Sequence, residues 1–135
     1  MSGETDLSAL LRTLSASLID GVYVFVTLAD GDIPKAAKPR MVFVEAEGTT
    51  LILLKSDAEA LGLVYEFPCR MITLNVHSSL EAVGFIAKIA TVLAKHDMGV
   101  NPVSGFYHDH LFVPDGREDD AMRLLDQIAT GEIAP

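Results

Sequence analysis

The chain has 135 residues, 50% hydrophobic and 21% charged, with 19 Asp and Glu against 10 Lys and Arg. That composition excludes a disordered chain and fits one compact unit, or two small ones that lean on each other. The net charge of −9, with five Lys and five Arg scattered and no basic run, excludes a phosphate-backbone partner, so no nucleic acid is expected.

The single cysteine, Cys69, rules out an intrachain disulfide framework and a cysteine-built zinc site within one chain. The stretch through Leu11 holds two acids and no cationic start before an apolar run, unlike a secretory signal. Apolar runs fall far short of the roughly 20 residues a bilayer requires. A cytoplasmic protein with no membrane partner is the expectation.

Leu7, Leu10, Leu11, Leu14 and Leu18 form one stripe at helical period, with Thr5 or Asp6 as cap and Asp20-Gly21 as the stop. Residues 22–28 (VYVFVTL), β-branched or aromatic as far as Thr27, predict a strand buried on both faces. A loop with two prolines follows over 29–39. Residues 41–46 and 49–55 predict a hairpin about Glu47-Gly48. Ser56-x-x-Glu59 is a capping-box pattern for a short helix ending near Gly62. Residues 65–69, with Pro68, mark the boundary between two halves, 1–68 and 69–135.

In the second half, residues 71–77 alternate with a period of two, a strand. Ser78-x-x-Glu81 is a second capping box, opening a helix that runs to about Lys95. Its polar positions are only Glu81, Gly84, Lys88, Thr91 and Lys95, a thin seam that predicts burial around most of the helix. Residues 100–107 and 110–113 predict two strands about His108-Asp109. Asp115-x-x-Glu118 starts a last helix, closed by Gly131.

The order β-α-β-β-α lacks only the final strand of the ferredoxin-like βαββαβ plan. Residues 22–28, apolar on both faces, are the candidate to cover the open sheet edge. The expected class is therefore α+β: two interlocked halves of type βαββα(β), with antiparallel sheets and helices on one side.

Gly84 stands in the polar seam, where glycine costs about 1 kcal/mol relative to alanine. Two readings fit: a tight contact between elements, or a ligand at the helix N-terminus, where free N–H groups suit a carboxylate. Ser78 and Ser79 offer hydroxyls beside it.

The stretch 77–101, HSSLEAVGFIAKIATVLAKHDMGVN, resembles the first strand, loop and helix and the second-strand start of an ACT domain. EAEGTTLI at 45–52 and YHDHLFVP at 107–114 are similar to segments of small free-standing proteins with tandem ACT modules, whose architecture resembles the regulatory pair of aspartate kinases. ACT domains are small βαββαβ modules that bind amino acids and regulate metabolic enzymes. The resemblance implies a non-catalytic regulatory protein that binds an amino acid at a module interface, where the strand-to-helix loop 78–85 of one module faces the strand start 100–102 of its neighbour. Main-chain groups around Val83, Gly84 and Phe85 would hold the carboxylate. Ser78, Ser79 and Glu81 complete the loop side, and Asn101 and Pro102 the strand side. Val83 stands where the family pattern has a proline. The resemblance further implies a homodimer, a regulated enzyme partner, and no cofactor or metal.

Asn101 fits equally a strand-edge residue bonding the turn at 97–99. His108-Asp109-His110 carries the rival class: two imidazoles and a carboxylate that could ligate a borderline cation in a small metal-dependent enzyme. No G-x-S-x-G elbow exists to serve a Ser-His-Asp triad, and a structural turn is the plainer reading. A ligand-free interaction module is the third possibility.

Overall fold

The computed structural model describes residue 3 and residues 5–134; residues 1, 2, 4 and 135 of the two predicted halves lie outside them. The elements are α1 (Leu7–Arg12), β1 (Ala16–Leu18), β2 (Tyr23–Leu28), β3 (Met41–Val44), β4 (Thr49–Leu54), α2 (Lys55–Ala60), β5 (Glu66–Leu74), α3 (Phe85–Lys95), β6 (Asn101–Ser104), β7 (Asp109–Pro114) and α4 (Glu118–Thr130). They form two compact units, one of residues 20–69 and one of residues 1–19 with 70–135. Among the described residues, no helix is long and apolar enough to cross a membrane.

The 20–69 unit is a strand order β3-β4-β2-β5, with β2–β4, β3–β4 and β2–β5 all antiparallel. That is the ferredoxin-like arrangement, in which the third strand lies between the first two and the fourth flanks the first. The loop 29–40 takes the place of the first helix. Its small core gathers Val24, Val26, Leu51, Leu53 and Ala58. Opposite Tyr23 and Phe25 the register slips. Phe67 there has a left-handed backbone, φ 57°, with its ring edge-on to Phe25 at 5.8 Å. A non-glycine residue in that region is strained, and a bulge beside Pro68 accommodates it.

The unit of 1–19 and 70–135 has the order β1-β5-β7-β6. α1, α3 and α4 pack on one another over a core that includes Ile72, Leu74, Leu111 and Val113 from the strands and Ile89, Leu93, Leu124 and Leu125 from the helices. Leu10 and Leu14 belong to the same core.

Several expectations are corrected here. The leucine stripe does not make one helix to residue 18. α1 stops at Arg12, and β1 pairs with β5, Ala16 facing Leu74 and Leu18 facing Ile72. Sheet pairing outweighs weak helix propensity in the Ser15–Ser17 stretch, where serine competes for backbone bonds. β1 therefore fills the edge assigned to residues 22–28, which pair with β4 and with the start of β5 inside their own unit. The boundary expected at residues 65–69 lies within a strand and not in a loop, since β5 runs from Glu66 to Leu74, and the two units part between Cys69 and Arg70.

Neither capping box forms at its serine, and Asp115 does not cap α4. α2 is preceded by Leu54, α3 by Gly84 and α4 by Arg117, each without a side-chain cap. α3 is buried on one face only, through Phe85, Ile89, Val92 and Leu93. Ala87 and Ala94 are exposed, since alanine favours helix without needing burial. The strand β2, the hairpin β3–β4, the helix end at Lys95 and the left-handed Gly131 closing α4 stand where the sequence places them.

Candidate functional site

β5 ends at Leu74, and ten residues pass before α3 begins at Phe85. Within them the Ser79 carbonyl accepts from the Ala82 N–H at 2.9 Å, and Ser79 Oγ accepts from the Glu81 N–H at 3.1 Å. This tight turn replaces the predicted first turns of the helix. Gly84 then enters α3 with φ 91°, a left-handed conformation that a side chain would strain. A Cβ there would meet only Leu7 Cδ2 at 3.5 Å, so backbone shape and not crowding calls for glycine. Gly3 crosses the same turn closely, and a Cβ on it would lie 2.5 Å from the Ser79 nitrogen.

The other wall comes from the β6–β7 hairpin. Its last rung pairs Ser104 with Asp109, and the Gly105 N–H bonds the His108 carbonyl at 2.9 Å to close the turn. Asp109 is only 6% exposed. Its Oδ2 accepts from Ser78 Oγ at 2.9 Å and its Oδ1 from Ser104 Oγ at 2.5 Å. One buried carboxylate thus ties the strand-to-helix loop to the hairpin. Burying a carboxylate is costly unless it is hydrogen-bonded, and the two hydroxyls partly meet that cost.

A cavity of about 200 Å³ opens between these walls, lined by the turn, the first residues of α3, Ser104 and Asp109. α3 contributes Phe85, Ile86 and Ala87. Their N–H groups belong to the first turn of a helix that no side chain caps, so they lack intrahelical acceptors.

Of the residues predicted from sequence, Ser78, Ser79, Gly84 and Phe85 line this cavity. Glu81 and Val83 do not. Both face outward, Val83 with 83% exposure. Asn101 and Pro102 are also outside it, exposed on β6 opposite Phe112 and Leu111. β6 is an edge strand, where a proline without an N–H is tolerated.

Ser104 and Asp109 escaped the sequence reading, which put Asp109 in a turn. The signal was the alternation 109-111-113. Asp109 shares a strand face with Leu111 and Val113, two core residues, and so points inward.

The metal reading loses its geometry for the same reason. His110 lies on the opposite face of β7 from Asp109 and shares a 3.0 Å hydrogen bond, through Nδ1, with Thr73 Oγ1. The His108 and His110 rings are 6.4 Å apart. Among the described residues no three His, Cys, Asp or Glu side chains are grouped to hold a metal ion.

The ACT domain family matches this chain twice, over residues 2–70 and again over residues 66–127. The chain belongs to the ACT domain family. It carries two ACT domains in tandem, and the family is one of regulatory, ligand-binding modules. A crystal structure from Vibrio cholerae, described as a protein of unknown function and possible transport protein, is 38% identical. It superposes with a TM-score of 0.81 over 91% of this chain and 95% of that one. An Agrobacterium tumefaciens protein shares the fold at 17% identity and a TM-score of 0.73, over 86% of this chain and 89% of its own. The regulatory subunit of aspartate kinase from Thermus flavus does so at 10% identity and a TM-score of 0.63, over 84% and 96%. Among curated proteins none matches the chain.

Proposed function

We propose that this protein is a non-catalytic regulator that binds a free amino acid in the cavity between the 78–87 segment and the β6–β7 hairpin. The observation that carries this is the uncapped start of α3. The N–H groups of Phe85, Ile86 and Ala87 border a cavity, and a carboxylate is the ligand group that such a helix start receives. The aspartate kinase regulatory fold supports a regulatory reading by analogy only.

The Ser78 hydroxyl supports the absence of catalysis. It donates directly to Asp109, with no imidazole between them to act as base. His110 is engaged with Thr73.

The protein works in the cytoplasm as a homodimer and passes its signal to a partner enzyme. The edge strand β3 supports the dimer. Val42, Phe43 and Val44 are all exposed, and no charge interrupts them in a chain of net charge −9. Two acidic copies meet most readily along such an uncharged edge, pairing antiparallel about a two-fold axis. The chain divides into its two modules near residue 68.

A thermal-shift panel of the twenty amino acids on exhaustively dialysed protein tests the reading. Ligand at about 100 times its dissociation constant adds about 2.7 kcal/mol, a shift of several degrees for a chain of this size. A shift with one amino acid or a small set is expected. No shift with any of them would overturn the proposal.

A further inference from the structure

We infer that Asp109 is the specificity-determining residue of this cavity, reading the ammonium group of a short, uncharged α-amino acid. The inference rests on the amino-acid reading above and adds the chemistry that selects the ligand.

Asp109 lines the cavity yet is 94% buried, being 6% exposed. Its two oxygens offer about four acceptor sites, and two neutral hydroxyls, those of Ser78 and Ser104, take one on each. The ion pairs among the described residues join Arg70 to Glu118, and Arg117 and Arg123 to Asp120. None reaches Asp109. A buried carboxylate with only neutral donors keeps a large part of its desolvation cost. A cation brought by the ligand offsets that cost through a charge-assisted hydrogen bond.

The serines do more than satisfy the acid. Ser78 approaches from the strand-to-helix loop and Ser104 from the hairpin, so they fix the carboxylate plane between the two walls. The α3 start lies across the same cavity and receives negative charge. One wall therefore attracts an ammonium and another a carboxylate, which is the charge pattern of a free α-amino acid.

Size and lining restrict its side chain. A cavity of about 200 Å³ holds the volume of about seven waters at about 30 Å³ each. Beside Ser79 the remaining side chains of the lining are apolar, with Leu80, Ala82, Phe85 and Ile86 among them, and none brings a charge to meet a charged ligand side chain. Alanine, serine, threonine and valine match this space, whereas lysine, arginine and the aromatic amino acids do not.

Isothermal titration calorimetry on the intact protein tests this with matched ligands. L-Alanine is set against L-lactate, in which a hydroxyl replaces the ammonium, and against L-lysine and L-phenylalanine. The expected result is binding of L-alanine or another of the short amino acids, with the hydroxy acid of the same skeleton about 10- to 100-fold weaker, the range of a charged hydrogen bond. Asp109→Asn should remove that discrimination while its thermal unfolding stays cooperative. The ligand comparison on the unaltered chain stands without the variant.

Equal affinity for the amino acid and its hydroxy acid overturns the ammonium assignment and leaves the amino-acid site standing. Preference for lysine or phenylalanine overturns the restriction to short side chains. Binding of no amino acid overturns this inference together with the proposed function.

Discussion

Ser78 Oγ donates to Asp109 Oδ2 across 2.9 Å, joining residues 31 positions apart in the chain. Through this bond the loop before α3 and the hairpin β6–β7 are held at one spacing, and that spacing sets the width of the cavity.

Replacing Ser78 with alanine leaves a buried carboxylate oxygen short of a donor. The expected cost is about 1–3 kcal/mol, read as a lower urea midpoint with an unchanged slope. Because Ser78 and Asp109 share the bond, Ser78→Ala and Asp109→Asn should combine with less than the sum of their single effects. Simple additivity would contradict the role given to this pair.

The first segment of the chain belongs to the unit completed by residues 70–135. Leu10 is 1% exposed within that unit's core. Leu10→Ala should cost about 2–5 kcal/mol, with the loss seen in hydrogen exchange at Leu111 and Val113. Val64, 88% exposed, should tolerate alanine within about 0.5 kcal/mol. Equal small effects at both positions would show that α1 contributes little to the core.

Much of this unit was legible in the sequence, and the reason is periodic burial. The period-two segment at 71–74 and the apolar run 111–113 both lie in strands, and α3 and α4 end where their apolar stripes end. What was not legible depended on partners distant in the chain. The leucine stripe through Leu18 has helical spacing, but β5 offers residues 16–18 an open edge, and no local pattern encodes that.

Ser78 looked like a helix cap because it stands three residues before Glu81. Its hydroxyl goes instead to Asp109, a residue whose inward direction follows from the strand carrying it. Resemblance to the ACT family points to Glu81, Val83, Asn101 and Pro102. The turn at 79–82 swings Glu81 and Val83 outward, and the hairpin register places Ser104, not Asn101, beside the cavity.

Glu118 carries a pH dependence. Its own backbone N–H lowers its pKa below the ordinary value of 4.5, and the Gly116 N–H and the Arg70 guanidinium add to the effect against the opposing influence of burial. A carboxyl whose folded pKa is depressed stabilises fully above its unfolded value. That contribution disappears as pH falls through the lower folded value. Urea midpoints from pH 6 down to pH 3 should therefore fall more steeply below about pH 4.5 in the wild type than in Glu118→Gln. Parallel curves would contradict this assignment.

The exposed β3 edge gives a separate prediction about assembly. Phe43 is 62% exposed, so Phe43→Lys should change the stability of the chain by no more than about 0.5 kcal/mol. A lysine on a strand edge obstructs pairing with a second copy. Light scattering should give twice the chain mass for the wild type and the single mass for the variant. A dimer that survives the substitution would place the contact elsewhere.

The most direct test of the central claim is an amide NMR titration of the dialysed protein with L-alanine, L-serine, L-threonine and L-valine in turn. Saturable shifts concentrated at Ser78, Ser79, Phe85, Ile86, Ala87, Ser104 and Asp109 are predicted for at least one of them. Shifts confined to other residues, or no saturable shift with any of the four, would contradict the assignment of this cavity as the site of a short amino acid.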